Sequence, residues 1–195
     1  MLKKVLLEAI EVGAQIITHY FNKQLKIENK EGINNWVTEA DHASESAIIT
    51  TIHKHFPHHS ILGEETGLQE KKSEYKWIID PIDGTVNFAH GVPICCVSIA
   101  IEKNGELIMG SVYNPLMNEW YFAEKDKGAF LNDKPIEVST NSNVSAAFLV
   151  TGFPYQYIQE ENGPLQVFAR LIKKAVPVRR LGSAAMDLCL SLIHI

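Results

Sequence analysis

The sequence predicts a layered α/β (α+β) domain, and three observations carry that prediction. Two helix-period apolar stripes open the chain, a hairpin-rich stretch occupies about residues 94 to 131, and helix and strand signals alternate again after it. Length and composition agree: 195 residues with 46% hydrophobic and 21% charged residues describe an ordinary globular chain, expected to form one domain over 1–195.

Taken in order, Leu2, Val5, Leu6, Ala9, Val12, Gly13, Ile16, Ile17 and Tyr20 fall at three- and four-residue spacings and predict a helix from about 2 to 22. Thr38 is the expected N-cap of a second helix, with Asp41 three positions on as a short capping box and Pro57 as the stop. Apolar runs at 60–62 and 76–80 read as strands that lead into acidic residues. Asn104-Gly105 lies between two alternating runs, a hairpin signal, and Asn132-Asp133 marks another turn, so this stretch reads as an antiparallel meander. A strand at 147–151, a helix near 160–174, a strand at 176–180 and a helix opening at Gly182-Ser183 complete the reading.

A net charge of −5 leaves no electrostatic footprint for nucleic acid or an anionic membrane. The apolar start is broken by Glu8 and Glu11 before it could serve as a signal peptide, and no run approaches the ~20 residues of a membrane span. Cys95, Cys96 and Cys189 are too few for a disulfide framework and read as buried free thiols, so a cytoplasmic protein is expected.

The chemistry concentrates in Trp77-Ile-Ile-Asp-Pro-Ile-Asp-Gly-Thr-Val-Asn-Phe88. A strand ends at Asp80, Pro81 fixes a turn, Asp83 returns a second carboxylate, and Gly84-Thr85 opens a helix whose first amides can cradle an anion. Gly63-Glu64-Glu65 and Asp41 add carboxylates from neighbouring elements. Carboxylates without His or Cys companions are hard oxygen ligands suited to Mg²⁺, Mn²⁺ or Ca²⁺. Divalent cations would relieve their mutual repulsion, and carboxylates, cations and an amide cradle together are the outfit of phosphoryl transfer.

At these residues the chain resembles the inositol monophosphatase family. The matching pieces are Val37-Thr-Glu-Ala-Asp41, Gly63-Glu-Glu65, Asp80-Pro-Ile-Asp-Gly-Thr-Val-Asn-Phe88 and Arg179-Arg-Leu-Gly-Ser-Ala-Ala185, in family order and spacing. The resemblance implies an αβαβα sandwich of the sugar-phosphatase type. It implies a Mg²⁺-dependent phosphomonoesterase that hydrolyses myo-inositol 1-phosphate with metal-activated water and no covalent phosphoenzyme. Glu64, Asp80 and the carbonyl of Ile82 would hold a first Mg²⁺, Asp80 would bridge to a second, and Asp83 would help hold that one. Thr85 with Asp41 would orient and deprotonate the water, so the catalytic set is Asp41, Thr85 and Glu64. Lys30, Gly84, Thr85, Gly182, Ser183 and Ala184 would line the phosphate and alcohol sides. The family's remaining second-metal aspartate follows a tryptophan, whereas Trp36, Trp77 and Trp120 precede Val, Ile and Tyr.

The chain stops at Ser191-Leu-Ile-His-Ile195 without a C-cap or polar tail, which predicts that the C-terminal part of the domain is missing and that 1–195 alone is inactive and poorly folded. Glu65 is expected to be a supporting or solvated charge, His53, His55, His58 and His59 to be solvated, one of Arg179 and Arg180 to face solvent, and His90 to lie on a loop near the site. Expected partners are a small phosphate monoester and, as an open option, a second copy of the chain. Alternatives within the fold are a 3′(2′),5′-bisphosphate nucleotidase, a fructose-1,6-bisphosphatase and a histidinol-phosphatase. An alternative of another class is a non-catalytic protein-binding regulator.

Overall fold

The computed structural model describes residues 1–30, 36–153 and 163–193. Helix α1, Leu2–Tyr20, buries Val5, Leu6, Ala9, Ile10, Gly13, Ala14 and Ile17, the stripe that its spacing predicts. It stops two residues before the predicted 22 because Asn22 takes a left-handed conformation, φ 61°. Strand β1, Ile27–Asn29, pairs antiparallel with β2, Trp36–Thr38, which runs directly into helix α2, Glu39–His55. The capping box is present: the Thr38 hydroxyl accepts from the amides of the first turn, and Asp41 accepts from the Thr38 amide. Gly13 brings the two helices together, since a Cβ there would lie 2.8 Å from Ile48 Cδ1.

Strands β3 (Ser60–Gly63), β4 (Gly67–Gln69) and β5 (Tyr75–Asp83) lead into the short helix α3, Thr85–Ala89. The predicted meander follows as β6 (Cys96–Lys103), β7 (Glu106–Asn114), β8 (Glu119–Glu124), β9 (Gly128–Leu131) and β10 (Lys134–Ile136). All seven join β3 in one eight-stranded sheet of order β10-β9-β8-β7-β6-β5-β3-β4, in which only β3 and β5 run parallel. Alternate residues of β6 divide the core. Val97, Ile99 and Ile101 pack with α1 and α2 on one face, while Cys96 faces Met186 and Cys189 on the other. Those two belong to helix α5, Ala184–Leu190, so the sheet is covered by helices on both faces.

The last third is more sparsely built than predicted. The strands expected at 147–151 and 176–180 reduce to β11 (Leu149–Val150) and β12 (Val178–Arg179), a two-stranded parallel pair. Helix α4, Pro164–Lys173, starts at its Pro N1 position; 160–162 of the predicted helix lie outside the described residues. Helix α5 opens at the N-cap Ser183 as expected. Cys95, Cys96 and Cys189 are buried free thiols. Among the described residues no helix is long and apolar enough to cross a membrane.

Candidate active site

The site forms where the parallel strands β3 and β5 of the large sheet end. The register sets Gly63 opposite Ile79, and the Glu64 amide donates to the Ile79 carbonyl at 3.0 Å, which places Glu64 beside Asp80. Asp80 and Asp83 would point to opposite faces of a regular strand, because their spacing is odd. They do not, because β5 carries one extra residue there: Asp80 pairs with Ser98 and Asp83 with Cys96, so two residues of β5 stand against Val97 alone. Pro81, which has no amide to donate, occupies that irregularity. Gly84 then turns the chain at φ 92°, where a Cβ would lie 2.8 Å from the Ile94 carbonyl oxygen and 3.2 Å from Ser183 Cβ. The amides that open α3 follow this turn.

Helix α2 supplies the opposite wall. Asp41 is fully buried. One carboxylate oxygen accepts from the Thr38 amide and hydroxyl at 2.8 and 2.6 Å; the other accepts from the Thr85 hydroxyl at 3.1 Å. That hydroxyl also lies 3.0 Å from the Ile82 carbonyl oxygen. The predicted Asp41–Thr85 pair is therefore formed. Burial raises the Asp41 carboxyl above its ordinary range, against the opposing hydrogen bonds from Thr38 and Thr85. Burial, then the negative charges of Glu64 and Asp83, push the Asp80 carboxyl up to about 9. Asp80 Oδ1 is buried without a hydrogen-bond partner.

Lys30 reaches into this acidic corner, its ammonium 2.9 Å from Glu64 Oε1 and 2.5 Å from Glu65 Oε1. Burial alone would lower the Lys30 pKa, but its bonds to Glu65 and Glu64 outweigh that and raise it. Glu65 is not solvated; its side chain is 5% exposed and holds Lys30. On the far side, Asp83 Oδ2 accepts from the Ser183 hydroxyl at 2.7 Å and the Ala185 amide at 2.6 Å. Ser183 is thus buried and committed to Asp83, whereas Gly182 and Ala184 are exposed.

Two groups that sequence reasoning missed belong to this corner. Asn87 donates from Nδ2 to the carbonyls of Ile94 and Leu181 at 2.8 and 2.7 Å, tying α3 to the segment before α5. Gly182, φ 90°, passes so close that a Cβ would lie 2.9 Å from Asn87 Nδ2. Asp187 on α5 is buried with an unpartnered Oδ1, and burial followed by Asp83 pushes its carboxyl up to about 6. Its signal was an acid inside the otherwise apolar Ala184–Leu190 run.

Other expectations change. His59 is not a solvated side chain: it stacks between Phe56 and Tyr75, with centroids at 4.4 and 4.8 Å, and accepts from the Trp77 indole at 3.0 Å. Nε2 of His53 and of His55 is likewise buried without a hydrogen-bond partner. Arg179 and Arg180 are both exposed and lie over the rings of Phe148 and Phe153. His90 stacks on Trp36 at 5.1 Å just after α3.

Among the described residues no three His, Cys, Asp or Glu side chains are gathered into a ready-made metal cage. The donor set nevertheless fits a hard divalent cation. Its members are all oxygen, Asp80 keeps a lone buried oxygen, and Glu64 already attracts a positive charge in the form of Lys30.

A mixed sheet covered by helices on both faces, with acidic strand ends meeting a glycine turn, is the layered α/β architecture of the sugar-phosphatase class. Within it the chain belongs to the inositol monophosphatase family, which it matches over residues 1–193. It is 38% identical to a Haemophilus influenzae protein named Nus factor SuhB, over 97% of this chain and 71% of the relative. It is 39% identical to an Aquifex aeolicus fructose-1,6-bisphosphatase/inositol-1-monophosphatase, over 91% of this chain and 68% of that protein. The solved inositol monophosphatase from Anabaena superposes with a TM-score of 0.82 at 37% identity, covering 96% of this chain and 69% of that one. The chain spans 59% to 71% of the length of the first curated relatives it matches.

Proposed function

We propose that the protein is a Mg²⁺-dependent phosphomonoesterase acting on a small sugar or cyclitol phosphate, with myo-inositol 1-phosphate the substrate tested first. The observation that carries this reading is the meeting of Glu64, Asp80 and Asp83 at adjoining strand ends beside the buried Asp41–Thr85 pair. Glu64, Asp80, the Ile82 carbonyl and Asp83 would hold the cations, which supply Lewis acidity toward the phosphate and a more acidic water. Asp41 accepts from Thr85 and so orients that hydroxyl, which in turn aligns the attacking water and passes its proton toward Asp41. The Gly84 and Thr85 amides receive phosphate oxygens, and Gly182 and Ala184 flank the alcohol. Lys30 would exchange Glu64 for the phosphate or a further cation as the site fills.

The test is phosphate release from myo-inositol 1-phosphate with Mg²⁺, set beside 3′-phosphoadenosine 5′-phosphate, fructose 1,6-bisphosphate and histidinol phosphate. Release from the inositol ester that stops in EDTA supports the reading. Undiminished turnover in excess EDTA would end it, and faster release from another ester reassigns the substrate within the fold. The Nus factor name of the Haemophilus relative favours one second reading, a protein-binding regulator. No phosphate release from any ester, together with Mg²⁺-independent capture of a transcription-machinery protein, would select it.

A further inference from the structure

Glu45 lies one helical turn beyond Asp41 on the same face of α2 and is 1% exposed. Among the described residues its carboxylate forms no ion pair. Oε2 accepts from the Glu65 amide and Oε1 from the Thr66 amide, both at 2.9 Å. The chain of 63–66 folds tightly over it, because a Cβ on Gly63 would lie 2.6 Å from Oε2 and 2.7 Å from Oε1. Glu64 is therefore fixed at both ends, its own amide on the Ile79 carbonyl and the next two amides on Glu45. Its side chain, by contrast, is 41% exposed and reaches the ammonium of the long, flexible Lys30 at 2.9 Å. Ser44, the neighbour of Glu45, donates to the Pro81 carbonyl at 3.1 Å. One face of α2 thus holds three separate stretches of the site: residues 65 and 66, Pro81 and Thr85.

Resting on the cation-site reading above, we infer that Glu45 is a positioning residue for the metal ligand Glu64. By receiving two consecutive amides it fixes the backbone from which Glu64 is aimed at Asp80, and Gly63 is the residue whose missing side chain lets it do so. Glu45→Gln keeps the size of the side chain but turns an N–H₂ toward one of the two amide donors, so one bond becomes a donor–donor contact. Support of this kind sets how well a ligand is aimed, and its loss lowers metal affinity by roughly 10–100-fold.

The experiment measures Mn²⁺ binding directly, by paramagnetic resonance of the free ion and by calorimetry, on the 195-residue chain and three variants. The expected result is that Glu45→Gln binds Mn²⁺ at least about tenfold more weakly. Gly63→Ala, which leaves α2 unchanged and displaces the carboxylate from the loop side, should do the same. Ile52→Val, a loss of one buried methylene-sized group from the same helix face, should lower the melting temperature while binding Mn²⁺ as the parent does. Binding by both Glu45→Gln and Gly63→Ala within twofold of the parent would overturn the positioning role. Weakening in Ile52→Val equal to that in Glu45→Gln would do so too, by reducing the effect to general stability. If the parent chain melts cooperatively yet takes up no Mn²⁺, the cation-site reading falls and the positioning role falls with it, an outcome distinct from the other two.

Discussion

The two walls of the site are held differently. On the carboxylate wall, α2 contributes Asp41, Ser44 and Glu45, each fully or almost fully buried and each bonded to a different segment, beneath a nine-residue strand in the interior of the eight-stranded sheet. On the opposite wall, Gly182–Ala184 lies between the two-residue β12 and the seven-residue α5, tied back through Asn87 and Asp83. Nearby α4 buries none of its residues, and Leu165, Val167 and Ile172 are each close to half exposed. The geometry of the carboxylates is therefore set by the core, while that of Gly182–Ala184, the side proposed for the alcohol, is borrowed from the motif it faces.

The widest gap between the walls should appear in stability. Ile48→Ala on α2 empties space in the core and is expected to cost about 2–5 kcal/mol. Ile172→Ala on α4, 48% exposed, should stay within about 0.5 kcal/mol. Urea unfolding of the two variants reads the difference directly, and equal losses would show that the two regions unfold with the same core.

Removing charge from the shared carboxylate comes next. Asp83→Asn, in the protein shown to release phosphate, should lower kcat at least 100-fold, about 2.7 kcal/mol of transition-state stabilisation. The fold should survive, because the substitution relieves the repulsion that Asp83 exerts on Asp80 and Asp187. Retention of more than about a third of the activity would remove Asp83 from the ligand set.

The same repulsion gives a pH signature. Asp80 titrates near 9 in the folded protein against about 3.9 in the unfolded chain, so the native state holds a proton that the unfolded state releases. Its contribution is complete below about pH 4 and is lost as pH rises toward about 9, and Asp187 adds a smaller loss that is finished soon above about 6. In EDTA the melting temperature should fall steadily between pH 5 and pH 9, and Mg²⁺ should flatten that slope by taking the place of the proton. A melting temperature that climbs toward pH 9 in EDTA would contradict the burial of Asp80 as the dominant cause.

The same contrast explains what could be read from sequence. The Thr38–Asp41 cap and the Asp80–Thr85 turn were legible because their partners lie within a few residues and their Pro and Gly are positional. The meander was legible because alternation and Asn-Gly turns are local too. Glu45 was not, since its partners are backbone amides 20 and 21 residues away, and an amide carries no side-chain signature. The enclosure of His59 was not legible because only Phe56 is a sequence neighbour, while Tyr75 and Trp77 reach it from β5. Strand β1 is three residues long, too short for any period to show, while β11 and β12 form within the expected 147–151 and 176–180 but only as two residues each.

The smallest effect is also the one that most sharpens the contrast. Asn87→Ala removes the single amide that bonds the carbonyls of Ile94 and Leu181, so two partly buried acceptors lose their partner, at a cost of about 1–2 kcal/mol. It also opens room beside Gly182, whose left-handed turn packs directly against that amide. Both changes loosen the wall around Gly182 and leave α2 and Glu45 untouched. KM for the inositol ester should therefore rise several-fold while inhibition by inorganic phosphate, which has no alcohol to place, stays within twofold. Asn87→Asp should be worse than alanine, because its carboxylate would face two carbonyl oxygens that it cannot bond. If phosphate inhibition weakened in step with KM, the two walls would be one mechanical unit, and the division drawn from their packing would be wrong.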